Sequence, residues 1–131
     1  MTAVPDEFKD LFTGKHFAHI ATIQPDGSPQ VSPVWVALEG DLVVFNSAEG
    51  RRKAKNLDRD GRVALSIHDQ ENPYRYIQVR GKVVEKTQEG AFEHIDQLAK
   101  RYLGLDEYPG HQPGDVRVIY KIQPERIQTQ G

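Results

Sequence analysis

The sequence predicts a mainly β fold, an antiparallel barrel of about six strands with three helices packed outside it or across its gaps. Two observations carry that expectation. Short apolar runs recur between tight Pro/Gly turns, as hairpins require, and only three stretches repeat their apolar residues at helical spacing.

Taken in order, Pro5 suits the first turn of a short helix in which Phe8, Leu11 and Phe12 recur at three and four, ending near Gly14 as a lid on the core. Residues 17–23 form the first strand. Gln24-Pro25-Asp26-Gly27-Ser28-Pro29 then turns the chain, because proline presets φ and glycine supplies a positive one. Residues 30–38 return as the second strand with Pro33 in the middle, where a missing donor implies an edge or a bulge. Glu39-Gly40-Asp41 leads into a third strand, residues 42–45, completing a meander. A basic helix follows and stops at Arg59-Asp60-Gly61. Residues 63–68 and 74–84 are the next strands, the longer one alternating Tyr76, Gln78 and Arg80 against Ile77 and Val79, with Gly81 marking a bulge. Thr87 is expected to cap a helix running to about Leu103, with Phe92, Ile95, Leu98, Ala99 and Tyr102 on one stripe and Gly104 at the stop. After a Pro/Gly loop over residues 105–114, the last strand spans 116–122 and Pro124 begins a tail.

Composition bounds the rest. The 131 residues suffice for one domain with a real core, small enough that a second copy would cover part of its apolar surface. With no cysteine, disulfides, thiol nucleophiles and cysteine-ligated metals are excluded. Pro5, Asp6 and Glu7 stand where a signal peptide would need an apolar run, and no stretch approaches membrane-spanning length, so a cytoplasmic protein without a membrane partner is expected. Lysine and arginine number 17 against 19 aspartates and glutamates, which argues against nucleic acid as a partner.

Within that slightly acidic chain, Arg51, Arg52, Lys53 and Lys55 fall within five positions, just after the small polar residues Asn46 and Ser47 and the glycine Gly50. Backbone N–H groups of a turn entering a helix point outward unpaired, and the helix dipole favours negative charge there. Crowded like charges repel, so a counter-anion has to come from elsewhere. The stretch reads either as an anion site, a phosphate gripped from several sides, or as a solvated basic face.

Three blocks resemble a known family. Ala21-Thr22-Ile23-Gln24-Pro25-Asp26-Gly27-Ser28-Pro29-Gln30-Val31-Ser32-Pro33-Val34-Trp35, the run from Arg51 through Arg59-Asp60-Gly61-Arg62-Val63, and Tyr76-Ile77-Gln78-Val79-Arg80-Gly81 are similar to the pyridoxamine-phosphate-oxidase-like flavin and deazaflavin oxidoreductases. The likeness is greatest to the actinobacterial branch that uses the deazaflavin coenzyme F420. It implies a split β-barrel, FMN-binding-like, forming a homodimer with two cofactor sites at the subunit interface, and hydride transfer between reduced F420 and a small organic acceptor. By the same resemblance Asn46 and Ser47 meet the cofactor phosphate, Arg51 and Lys53 pair with its charge, and Lys55 lies nearby toward the polyglutamate tail. Val31, Ser32, Pro33, Val34 and Trp35 run along the ring system, and Tyr74 reaches it from the other subunit. Gly61 departs from the family's usual proline in that turn. FMN in the same fold, or cofactor binding without turnover, remains an alternative, and Val34 and Trp35 also read simply as core residues, for Trp35 with equal weight.

Other chemistry is poorly served. His16 and His19 face opposite sides of a strand with no third ligand at a recognisable spacing. Serines 28, 32, 47 and 66 lack a nucleophile-elbow context, and no Gly-x-Gly pattern serves a dinucleotide. A redox cofactor brings its own reactivity, so the absence of an acid–base pair is what a cofactor-dependent reading expects.

Overall fold

The computed structural model describes residues 2–131. A 3-10 turn at Asp6–Phe8 and helix α1 (Asp10–Thr13) open the chain. Strands β1 (Ala18–Ile23), β2 (Pro29–Val34), β3 (Val36–Glu39) and β4 (Leu42–Ala48) follow, then helix α2 (Arg52–Arg59) and strands β5 (Arg62–His68) and β6 (Tyr76–Thr87). Helix α3 (Ala91–Leu103) and strand β7 (Arg117–Gln130) complete it. Among the described residues these strands make one antiparallel sheet of seven, in the order β2-β1-β5-β6-β7-β4-β3.

That order shows how the sheet curls. β2 and β3 are consecutive in the chain, separated only by Trp35, yet they lie at opposite edges of the sheet. The two edges must meet at Trp35, which makes the sheet a split barrel. Sequence periodicity runs through this corner without a break, so one strand was expected over 30–38 and six in all; the chain instead changes partners at Trp35, and the meander becomes two separate hairpins, β1–β2 and β3–β4. The corner's backbone is held from α3: Tyr102 receives the Val36 N–H and donates its own hydroxyl to the His16 carbonyl at 2.7 Å, while Arg101 bonds the Val36 and Phe12 carbonyls. Pro33 sits on β2, an edge strand, as its missing donor requires.

The inward-facing residues pack as one core, among them Ile20, Val36, Phe45, Ile67, Val79 and Tyr120. Phe8, Leu11 and Phe12 close one part of it, each worth about 1.5 to 3 kcal/mol of burial. α2 packs on the barrel through Ala54 and Leu57, and its fully buried Asn56 donates to the Thr22 hydroxyl, which in turn donates to Gln30. β4 is buried on both faces because the residues alternating with its core side meet α3: Val44 packs with Ala91 and Ile119.

Three further expectations are corrected. α3 begins at Ala91 behind Gly90 at φ 74°, and Thr87 does not cap it; β6 stays paired with β7 as far as Thr87, whose hydroxyl accepts only the Glu89 N–H. Phe92 is exposed and Ala91 takes its place on the buried stripe. Pro124 does not begin a tail, because β7 runs on to Gln130 beside β6. The register slips between Arg80 and Gly81, so Pro124 sits opposite Gly81 at a bulge.

Gly81 is what permits that bulge. A Cβ there would lie 2.2 Å from the Gln123 carbonyl oxygen, too close for any neighbour to yield without moving backbone. Gly81→Ala should therefore lower unfolding free energy by about 1 to 3 kcal/mol in urea titrations, the usual cost of overpacking a rigid site.

Candidate functional site

A cleft of about 150 Å³ opens where the end of β4, the start of α2, the start of β7 and the Trp35 corner converge beneath α3. Its polar side is built from Asn46, Ser47, Arg51, Lys53 and Arg117, and its apolar side from Phe17, Pro33, Val34, Trp35, Ile95, Leu98 and Tyr108. Trp35 stacks on Tyr102 with ring centroids 5.3 Å apart and meets Tyr108 edge-on at 5.8 Å. One wall is therefore a rigid aromatic layer.

Arg117 is the unusual member. It is 3% exposed, its Nε donates to Asn46 Oδ1 at 2.9 Å, and its guanidinium lies 5.2 Å from the centre of the Tyr108 ring. Among the described residues its Nη1 is buried without an acceptor, and the Ser47 hydroxyl beside the same cleft is equally unpartnered. Burial, reinforced by Arg51, pushes the Arg117 guanidinium below its ordinary pKa. Burial likewise lowers Lys53, with Arg51 and Arg117 adding to it. No carboxylate among the described residues forms an ion pair with these three cations, whereas Lys86, Arg75, Arg62 and Lys121 each have one or two. A buried donor left unmade costs about 1 to 3 kcal/mol, and beside three cations an anion is the partner whose chemistry would suit it.

Asn46 fixes the geometry. While its Oδ1 accepts from Arg117, its Nδ2 donates to the Ala91 carbonyl at 2.8 Å and to His94 Nδ1 at 3.1 Å. The side chain is thus engaged at both ends and acts on a ligand through Arg117. α2 contributes Arg51, its N-cap residue, and Lys53 from the first turn, and no side chain caps its free N–H groups.

The structure gathers Pro33, Val34, Trp35, Asn46, Ser47, Arg51 and Lys53 around the cleft, and leaves four of the expected residues outside its lining. Val31 is exposed on the outward face of β2, and Lys55 is exposed on α2. Ser32 buries its hydroxyl without a partner among the described residues, outside the cleft lining. Tyr74 stands 78% exposed on the loop before β6. Sequence reasoning missed Arg117 and Tyr108. A charge one residue into the apolar run 116–122 was the available signal for the first, and the lone aromatic of the 105–114 loop for the second.

The fold is a split β-barrel with a cation-lined cleft beside an aromatic corner, and comparison names the family. The chain belongs to the pyridoxamine 5'-phosphate oxidase family, whose profile it matches over residues 4–131. It is 33% identical to a solved structure described as an F420 reductase, covering 95% of this chain and 98% of the other with a TM-score of 0.83. A conserved hypothetical protein from Mycobacterium tuberculosis shares 23% identity over 99% of this chain and 86% of its own, with a TM-score of 0.75. A Listeria innocua protein described as a putative pyridoxamine 5'-phosphate oxidase shares 17% over 95% of each chain, with a TM-score of 0.73. The last two show the shared fold. No match was found among curated proteins. Among the described residues no helix is long and apolar enough to cross a membrane.

His94 gives the site a pH signature. Its Nδ1 accepts a hydrogen bond and so needs the neutral ring; burial lowers its pKa below 6.5, and the nearby cations Arg101, Lys121 and Arg117 outweigh Glu39. The unfolded chain then binds a proton that the native chain refuses, so this contribution to stability is full above pH 6.5 and is lost as pH falls through the lowered native value. In urea titrations across that window, His94→Gln, whose amide oxygen can accept the Asn46 bond, should lose less stability on acidification than the unaltered protein.

Proposed function

We propose that the protein is an F420-dependent oxidoreductase that passes a hydride between reduced deazaflavin and a small organic acceptor. The observation that carries the reading is the buried Arg117, with an unused donor, facing a cleft that also holds Arg51, Lys53 and the free Ser47 hydroxyl. A phosphate fits this set: it offers acceptors to the Nη1 of Arg117 and to Ser47, and its charge offsets three cations that otherwise repel one another. The 33% identity to a described F420 reductase favours the deazaflavin, and the same phosphate site would serve FMN.

Bound there, the deazaflavin supplies the redox chemistry. Arg51, Lys53 and Arg117 anchor it, Asn46 aims Arg117, and the Pro33 to Trp35 edge orients the ring against an apolar wall. A second copy of the chain belongs to this reading. Val31, Ala21 and Ala64 stand in register across β2, β1 and β5 on the outward sheet face, an apolar row suited to a partner sheet. The loop carrying Tyr74 is rigid, because Asp69 and Arg75 close it by backbone and ion-pair bonds and Arg75 is tied on to Asp10. A tyrosine held outward in that way suits a role in the neighbouring subunit's cleft.

Two measurements test the reading. Arg117→Gln and Lys53→Ala should each weaken deazaflavin binding, followed by fluorescence quenching, by about 1 to 3 kcal/mol, the cost of one charged hydrogen-bond partner; unchanged affinity in both would remove the assignment. A protein that purifies yellow with flavin absorption would move the reading to FMN. For the dimer, sedimentation should give twice the 14.8 kDa of one chain, and Tyr74→Ala should lower cofactor affinity although Tyr74 does not line its own protomer's cleft.

A further inference from the structure

Tyr108 reaches the cleft from a loop that is mostly exposed, residues 105–114, in which only Tyr108, Gly110 and His111 are half-buried. What holds them is one carboxylate oxygen on α3. Asp96, next in the chain to the cleft residue Ile95, accepts the Tyr108 backbone N–H at 2.8 Å and the His111 Nε2–H at 3.0 Å, both on Oδ1. These donors, the backbone one foremost, keep the Asp96 carboxyl below the usual carboxylate range, so the acceptor is charged and the bonds are strong ones. The His111 ring lies 5.3 Å from that of Phe92 and stands at 85° to the Tyr108 ring. Gly110 leaves room for the tyrosine: a Cβ there would lie 2.5 Å from the Tyr108 Cζ and hydroxyl oxygen.

Held in this way, the Tyr108 ring meets Trp35 edge-on and turns its face to the Arg117 guanidinium, 5.2 Å from the ring centre. Arg117 has a side-chain hydrogen bond through Nε alone among the described residues, so Asn46 fixes one edge of the guanidinium. The tilt of its plane is then set by what packs on its face. An aromatic ring does this well, because its negative face attracts a cation that burial has stripped of water. The order of dependence therefore runs from the Asp96 carboxylate to the loop backbone, from there to the Tyr108 ring, and from the ring to Arg117.

We infer that Asp96 is a positioning residue for anion binding: by pinning Tyr108 against the Arg117 guanidinium, it holds that group at the angle that offers Nη1 to the cleft. The inference rests on the anion site of the proposed function and deepens it. Arg117 gains a second support, from α3 and the 105–114 loop, besides the one that Asn46 gives it from β4. Asp96 touches neither the cleft lining nor Arg117, so its effect on a ligand has to pass through the ring.

The test uses the full chain, with inorganic phosphate and oxidised deazaflavin as probes and the Arg117 Nε–Hε signal in two-dimensional NMR as reporter. In the unaltered protein that signal should lie upfield, shielded by the Tyr108 ring, and should move when phosphate is added. Asp96→Ala should lose most of the upfield shift and bind both probes about tenfold more weakly, the worth of one cation–π contact. Asp96→Asn, whose amide oxygen can accept both hydrogen bonds, should recover most of the shift and the affinity. Tyr108→Leu should bind as weakly as Asp96→Ala, and combining the two should cost nothing more, because the carboxylate acts through the ring. Gly110→Ala displaces the ring with Asp96 intact and should weaken binding likewise, which gives a second route should Asp96→Ala fail to fold. If Asp96→Ala and Gly110→Ala leave the Arg117 signal and both affinities unchanged while the unaltered protein binds its probes, Asp96 only packs the loop and this inference alone is wrong. If the unaltered protein binds neither phosphate nor deazaflavin, the anion site of the proposed function falls and takes this inference with it.

Discussion

The structure depends on the closure at Trp35. A single run of chain serves first as one edge of the sheet and then as the other, and only a corner that turns without losing its hydrogen bonds allows this. Arg101 and Tyr102, adjacent on α3, supply the bonds, and Tyr102 also stacks on the Trp35 ring. α3 is therefore part of the barrel's closure although it contributes no strand. The same docking lays Ile95 and Leu98 over the cleft, so the fold's weakest topological point and its candidate site are stabilised by one helix.

Charge is distributed in two ways in this small protein. Away from the cleft, cations are satisfied: burial works against the charged form of Lys86, but hydrogen bonds from it to Glu49 and Asp58 raise its pKa above the ordinary range. Asp60, bonded by Arg62, is held down at about 2. Inside the cleft, among the described residues, Arg51, Lys53 and Arg117 have no carboxylate in ion-pair contact, and the Arg117 guanidinium is buried with its Nη1 unbonded. Arg117 satisfies Asn46 Oδ1, but its charge exceeds what that bond needs, and the cost of burying it is a physical reason to look for a ligand there.

Much of this was legible in the sequence where local chemistry decides the outcome. The Gln24 to Pro29 turn, the Gly81 bulge, the Gly104 stop and the basic helix after β4 follow from residue types at short range. The Trp35 corner was not, because residues 30–38 alternate without a break and what divides them is a pair of side chains about 65 positions away. Pro124 misled for a related reason: alone it ends a strand, and only the bulge opposite it, on another strand, makes room for it. At the site, Arg51 and Lys53 were readable because they cluster. Arg117 was not, since a lone arginine at the start of a strand gives no sign of the Asn46, Ala91 and His94 chain that holds it.

That chain links ligand to stability. Burial and mutual repulsion weigh on Lys53 and Arg117 in the cleft, and this costs the folded state stability there. An anion that satisfied Arg117 and Ser47, as proposed, would return it, and because only the folded state brings β4, α2 and β7 together, the stabilisation would grow with ligand concentration over its dissociation constant. The His94 ring belongs to the same account. A proton placed on it removes the acceptor for Asn46 Nδ2, and an amide that swings to present its oxygen to His94 would take that oxygen from Arg117. Acid and the proposed ligand would therefore act on one shared network, in which the side chain that sets the aim of the guanidinium is itself set by the protonation of its neighbour.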